Sequence, residues 1–97
     1  MKGMSTVISE ETKSLKDGRI LKIQTWTEAG TTFITYFFSI KGLEDKSPEE
    51  LYYFLKNEDV ALPQPFSKGK IVAQKFSDDN KELCWGLTIF ASKIIEK

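Results

Sequence analysis

The sequence predicts an α+β fold, an antiparallel sheet of about five strands met along the chain as β-β-β-α-β-β, with one helix (about residues 48–57) packed on one face. Three observations carry this. Residues 31–40, Thr-Thr-Phe-Ile-Thr-Tyr-Phe-Phe-Ser-Ile, are the longest run of β-branched and aromatic residues free of Pro, Gly and charge, as a central strand requires. Ser47-Pro48-Glu49-Glu50 has a helix start, with Ser at the cap, Pro at the first turn and Glu three residues after the cap. Asp17-Gly18 and Ala29-Gly30 supply tight turns between alternating strands.

The first strand is expected over residues 5–15. It should close through Lys16-Asp17-Gly18-Arg19 as a two-residue type I′ turn, because Asp-Gly accepts positive φ. That turn puts Lys13 beside Lys22 and Ser9 beside Trp26, leaving Ile8, Glu10, Thr12 and Ser14 facing the core. A strand so poor in apolar inward residues belongs at an edge, where Glu10, Glu11 and Lys13 discourage pairing with another sheet.

The second strand spans residues 19–27. A two-residue loop at Ala29-Gly30 sets Ile23 opposite Tyr36, Leu21 opposite Phe38 and Thr25 opposite Ile34. A three-residue loop would mix core and solvent faces, so the shorter loop is preferred. The reverse face of this hairpin then carries Trp26 opposite Phe33, Lys22 opposite Phe37 and Gln24 opposite Thr35.

After Lys41-Gly42 the helix follows, with Leu51, Phe54 and Leu55 as its apolar stripe and Asn57 as its stop. Pro63 and Pro65 keep residues 58–66 a loop. A fourth strand is expected over 69–76, a turn over 77–81 and a fifth strand over 83–91. Its two faces are Leu83, Trp85, Leu87, Ile89 and Cys84, Gly86, Thr88, Phe90. The tail, 92–97, could add a helical turn bearing Ile94 and Ile95. The strand order around the fifth strand is left open by the sequence.

Composition narrows the chemistry. Ninety-seven residues make one domain, 1–97, with 40% hydrophobic and 29% charged residues, an ordinary globular balance. Fourteen acids offset fourteen bases, and Arg19 is the only arginine. The chain therefore lacks both the net field and the guanidinium forks that grip nucleic acid. There is no histidine, which removes the commonest general base and metal ligand together. Cys84 is alone, so neither a disulfide framework nor a cysteine metal site is expected, and inside an apolar strand it reads as a buried, unreactive thiol. Asp78-Asp79-Asn80 lacks the alternating ligands of a calcium loop and reads as a solvated turn. Neighbouring carboxylates at Glu10-Glu11, Glu44-Asp45, Glu49-Glu50 and Glu58-Asp59 read as solvated surface. No cofactor, metal or catalytic residue is expected. No apolar run reaches membrane-spanning length and the opening residues lack a signal-peptide core, so a cytoplasmic location without membrane contact is expected.

What stands out is the reverse face of the sheet. Five strands at roughly 4.8 Å spacing are about 24 Å wide, whereas one helix covers about 10 Å. Trp26, Phe33 and Phe37, with Leu15 and Ile20 nearby and Lys22 at the rim, should then lie exposed together, and such apolar patches usually mark an interface. The plainer alternative is that the tail or the residue 63–66 loop folds over them. The expected function is a small non-catalytic protein-binding module of homodimer, inhibitor, immunity or adaptor type, binding through Trp26, Phe33, Phe37 and Lys22. The alternative is single-stranded nucleic acid stacking on the same aromatics, against which the neutral charge counts.

Overall fold

A computed structural model describes residues 6–28, 31–63, 70–77 and 79–90. The strands are β1 (Thr6–Ser14), β2 (Ile20–Glu28), β3 (Thr31–Ser39), β4 (Lys70–Ser77) and β5 (Leu83–Phe90), with helix α1 (Pro48–Asn57) between β3 and β4. The α+β class, the five antiparallel strands and the single helix are as the sequence predicts. In space the strands run β1-β2-β3-β5-β4, which departs from their order along the chain. The expected tail turn at 92–97 and most of the residue 63–66 loop lie outside the described residues.

The second hairpin has the register that its hydrophobic pattern demands. Ile23 pairs with Tyr36, Thr25 with Ile34, Trp26 with Phe33 and Lys22 with Phe37, and Glu28 opposite Thr31 closes the ladder. β5 then lies along the other edge of β3, pairing Tyr36 with Leu87, Phe38 with Trp85 and Phe33 with Phe90.

The first hairpin differs from expectation by one residue. Lys13 pairs with Leu21 and Thr12 with Lys22. The loop has three residues, Lys16-Asp17-Gly18, closed by Leu15 N–H donating to the Arg19 carbonyl at 2.8 Å and Gly18 N–H donating to the Leu15 carbonyl at 3.0 Å. Gly18 takes the left-handed conformation at φ +98° that ends such a loop. The reason lies in Leu15. The two-residue turn would send it outward, whereas the longer loop turns it inward, where it is 4% exposed. Burying a leucine is worth roughly 1.5–3 kcal/mol, more than a preference between two workable turns. Asp17 supports the loop by accepting from Arg19 N–H and Nε, and these bonds hold its carboxyl below its ordinary range. With the faces exchanged, Glu11 and Lys13 pair with Ile23 and Leu21 on the core side, and Ile8 is skipped at a register shift between Val7 and Ser9. β1 is an edge strand, as predicted.

The helix has the expected bounds and cap. Ser47 N–H donates to Glu50 Oε1 at 2.8 Å and Glu50 N–H donates to Ser47 Oγ at 3.2 Å, a complete capping box. The left-handed residue that ends it is Asp59, at φ +66°, rather than Asn57. Asp59 N–H reaches the Lys56 carbonyl and Val60 N–H the Leu55 carbonyl, and Val60 and Leu55 are both buried, which completes a Schellman cap. Lys16 closes on this helix end twice, its N–H donating to Glu58 and its ammonium 3.2 Å from Asp59.

One core joins these elements. Leu51, Tyr52 and Leu55 cluster with Leu15, Leu21, Tyr36, Phe38, Trp85, Leu87 and Ile89, and the Phe38 and Phe54 rings stack at 5.8 Å. Polar atoms inside it are paired. Trp85 Nε1 donates to the Leu43 carbonyl at 2.8 Å, and the Tyr36 hydroxyl donates to the Ala61 carbonyl at 3.3 Å. Burial pushes the Tyr36 phenol up to about 12.

Candidate functional site

Alternation along each strand places a second set of side chains on the reverse face. Even positions of β2, β4 and β5 meet odd positions of β3 there. At one end Trp26 and Phe33 stack nearly parallel with centroids 6.1 Å apart, and Phe33 meets Phe90 at 5.0 Å. In the middle, Thr35 and Thr88 share a hydroxyl hydrogen bond of 3.0 Å, and Thr35 is 6% exposed although it faces away from the core. At the other end Phe37 meets the Phe76 ring edge-on at 5.7 Å. Phe76 can reach so far because Gly86 lies beneath it. A Cβ there would overlap the Phe76 ring and stand 3.3 Å from Phe37 Cε1.

Beyond Phe37 the face opens into a groove of about 630 Å³. Ile20, Phe37, Phe76 and Cys84 give it apolar walls, with Lys22 on the β2 side and Asp79 and Glu82 on the turn between β4 and β5. That volume falls within the range of small-ligand sites, but its walls are open-sided sheet rather than an enclosed cleft. Cys84 is half-buried here rather than sealed in the core.

The two tryptophans behave oppositely. Trp85 satisfies its indole N–H in the core, whereas Trp26 Nε1 is screened from water and meets no acceptor among the described residues. An indole N–H left so costs about 1–3 kcal/mol. Arg19, the only guanidinium in the chain, borders the groove but bonds within its own chain. Its Nη1 donates to the Ser39 and Lys41 carbonyls at 2.7 and 2.9 Å, Nε bonds Asp17, and its plane lies 5.2 Å from the Phe54 centroid.

Trp26, Phe33 and Phe37 therefore share one face, with Lys22 exposed beside Phe37. The three aromatics are half-buried rather than openly exposed, with Trp26 and Phe90 against Phe33 and Phe76 against Phe37. They divide into two groups, Trp26 with Phe33 and Phe37 apart from them. Leu15, expected beside them, is in the core instead, while Ile20 is exposed as expected. Phe90 and Phe76 complete the two groups and were not among the expected residues. Both alternations were visible in the sequence, but only the position of β5 beside β3 brings Phe90 to Phe33 and Gly86 to Phe37.

Among the described residues no three His, Cys, Asp or Glu side chains gather as metal ligands would. Nor is any helix among them long and apolar enough to cross a membrane. No protein-family model, no curated protein and no solved structure matches this chain.

Proposed function

We propose that this chain is a non-catalytic protein-binding module whose working surface is the reverse face of the sheet, with α1 taken as the cover of the opposite face. The observation that carries the reading is that these apolar features share one face. Two aromatic groups and a groove lie on one sheet face. Half-sheltered aromatics of this kind lose little conformational freedom on binding and supply most of the energy at interface centres. The partner is a second copy or another protein to be blocked or adapted, and Lys22 would lie at the rim. Nucleic acid is disfavoured, because Arg19 is held by three oxygen acceptors of its own chain.

The test is light scattering on a sizing column, run with Trp26→Gln and Phe37→Gln. Loss of self-association or of partner binding, with circular dichroism and urea stability retained, supports the reading. Unfolding of both variants, with an unchanged oligomeric state in the folded fraction, would make the face a second core and refute it.

A further inference from the structure

Among the described residues the sheet has two unpaired edges, built differently, and we infer that β4 is an assembly edge that takes the β4 strand of a second copy of this chain. β1 is unsuited to such pairing. Its ladder shifts register between Val7 and Ser9, and Glu10, Glu11 and Lys13 crowd the strand. β4 has no such shift, and its only charges are the lysines at positions 70 and 75. Its eight pairs with β5 run from Lys70 to Ser77 without a shift, so its outward backbone groups form a regular row. Lys75 is drawn away from that row, its ammonium 5.5 Å from the Trp85 ring on the neighbouring strand. Phe76 is 42% exposed at the strand's end.

The occupant follows from self-complementarity. Antiparallel pairing of β4 with itself closes about a two-fold axis and stops at a dimer, whereas pairing with the shifted β1 edge would be head-to-tail and open-ended. Faces stay aligned only when positions of the same parity meet. Centring on Gln74 sets Gln74 against the partner's Gln74, Phe76 against the partner's Val72 and Lys75 against the partner's Ala73. Each apolar side chain on the reverse face then finds an apolar one, and no two lysines meet. Centring on Ala73 would instead put Phe76 opposite the lysine at position 70. The dimer is a ten-stranded sheet in which the two reverse faces run on into each other. The aromatic groups remain open to a partner of another kind.

Sedimentation velocity over a concentration series tests this on the intact chain. The wild type should dimerise reversibly. Gln74→Glu and Gln74→Lys each place like charges opposite one another and should weaken the dimer about fivefold. An equimolar mixture of the two should restore it. Because Gln74 is exposed, neither variant should alter the urea midpoint by more than a small shift. A monomer at every concentration would overturn the inference. So would a dimer unaffected by both Gln74 variants. If that dimer also disappears in Trp26→Gln, the reverse face is the site of self-association, which separates failure here from failure of the functional reading.

Discussion

Gly86→Ala separates the stability of the sheet from the shape of its reverse face. An alanine Cβ would overlap Phe76, stand 2.9 Å from Phe76 Cδ2 and 3.3 Å from Phe37 Cε1. Phe37 needs to give only a few tenths of an ångström. Phe76 must swing away, and it can, since it is exposed at an edge strand. The lost edge-to-face contact is worth about 0.5–1.5 kcal/mol. Gly86 has no positive φ, so alanine adds no backbone strain and recovers about 0.4–1 kcal/mol by restricting the unfolded chain. The net change should lie within about 1 kcal/mol of zero by urea titration, while the Phe76 ring resonances move markedly in NMR spectra. In a Phe76→Ala background the overlap is gone, and Gly86→Ala should become stabilising. A loss above about 2 kcal/mol in both backgrounds would show that the glycine is demanded by something other than Phe76, and would refute the argument.

Three further expectations follow from the same geometry. Leu15→Ala should cost about 2–4 kcal/mol in urea, since Leu15 is core; an effect below about 0.5 kcal/mol would restore the two-residue turn. Ser47→Ala should cost about 1 kcal/mol through the cap. The Ser47 N–H bond keeps the Glu50 carboxyl below its ordinary 4.5, so the carboxylate's share of the cap is present above that value and fades as pH falls through the lowered pKa. Trp26→Phe removes an indole N–H that has no acceptor among the described residues and should leave stability unchanged or raise it by about 1 kcal/mol, whereas Trp85→Phe strands the Leu43 carbonyl and should cost about 1–3 kcal/mol. Equal losses at both tryptophans would show that the indole N–H groups do not distinguish the two faces.

What was legible in the sequence was what neighbouring residues decide. The capping box is four consecutive residues, and its structure contains both reciprocal bonds. The β2–β3 register was legible because both strands carry an unambiguous apolar face. The β1–β2 register was not, since β1 offers few apolar residues to choose by, and Asp-Gly suits two loop lengths. Leu15, at the strand's end, was the deciding residue, and it is buried in a core shared with α1, which a hairpin cannot foresee. Trp26, Phe33 and Phe37 were assigned to one face by parity alone. Phe76 and Phe90 were hidden because strand order is a long-range property, and alternation within β5 says nothing about which strand lies beside it.

The place of β5 between β3 and β4 has a consequence for how the chain reaches its fold. β1, β2 and β3 form a meander of local contacts, and β4 with β5 forms a separate local hairpin. Among the described residues only the β3–β5 ladder joins them by strand pairing, across a span of sequence containing α1. During synthesis, β3 must wait with one edge unpaired and Phe33, Tyr36 and Phe37 beside it until the last strand has emerged. Docking of the finished hairpin onto that edge should then be the slow event in folding, since its contacts are the most distant in sequence. A chain halted before β5 would present the most sheet-prone stretch of this protein as an open template, the state in which it is most exposed to aggregation.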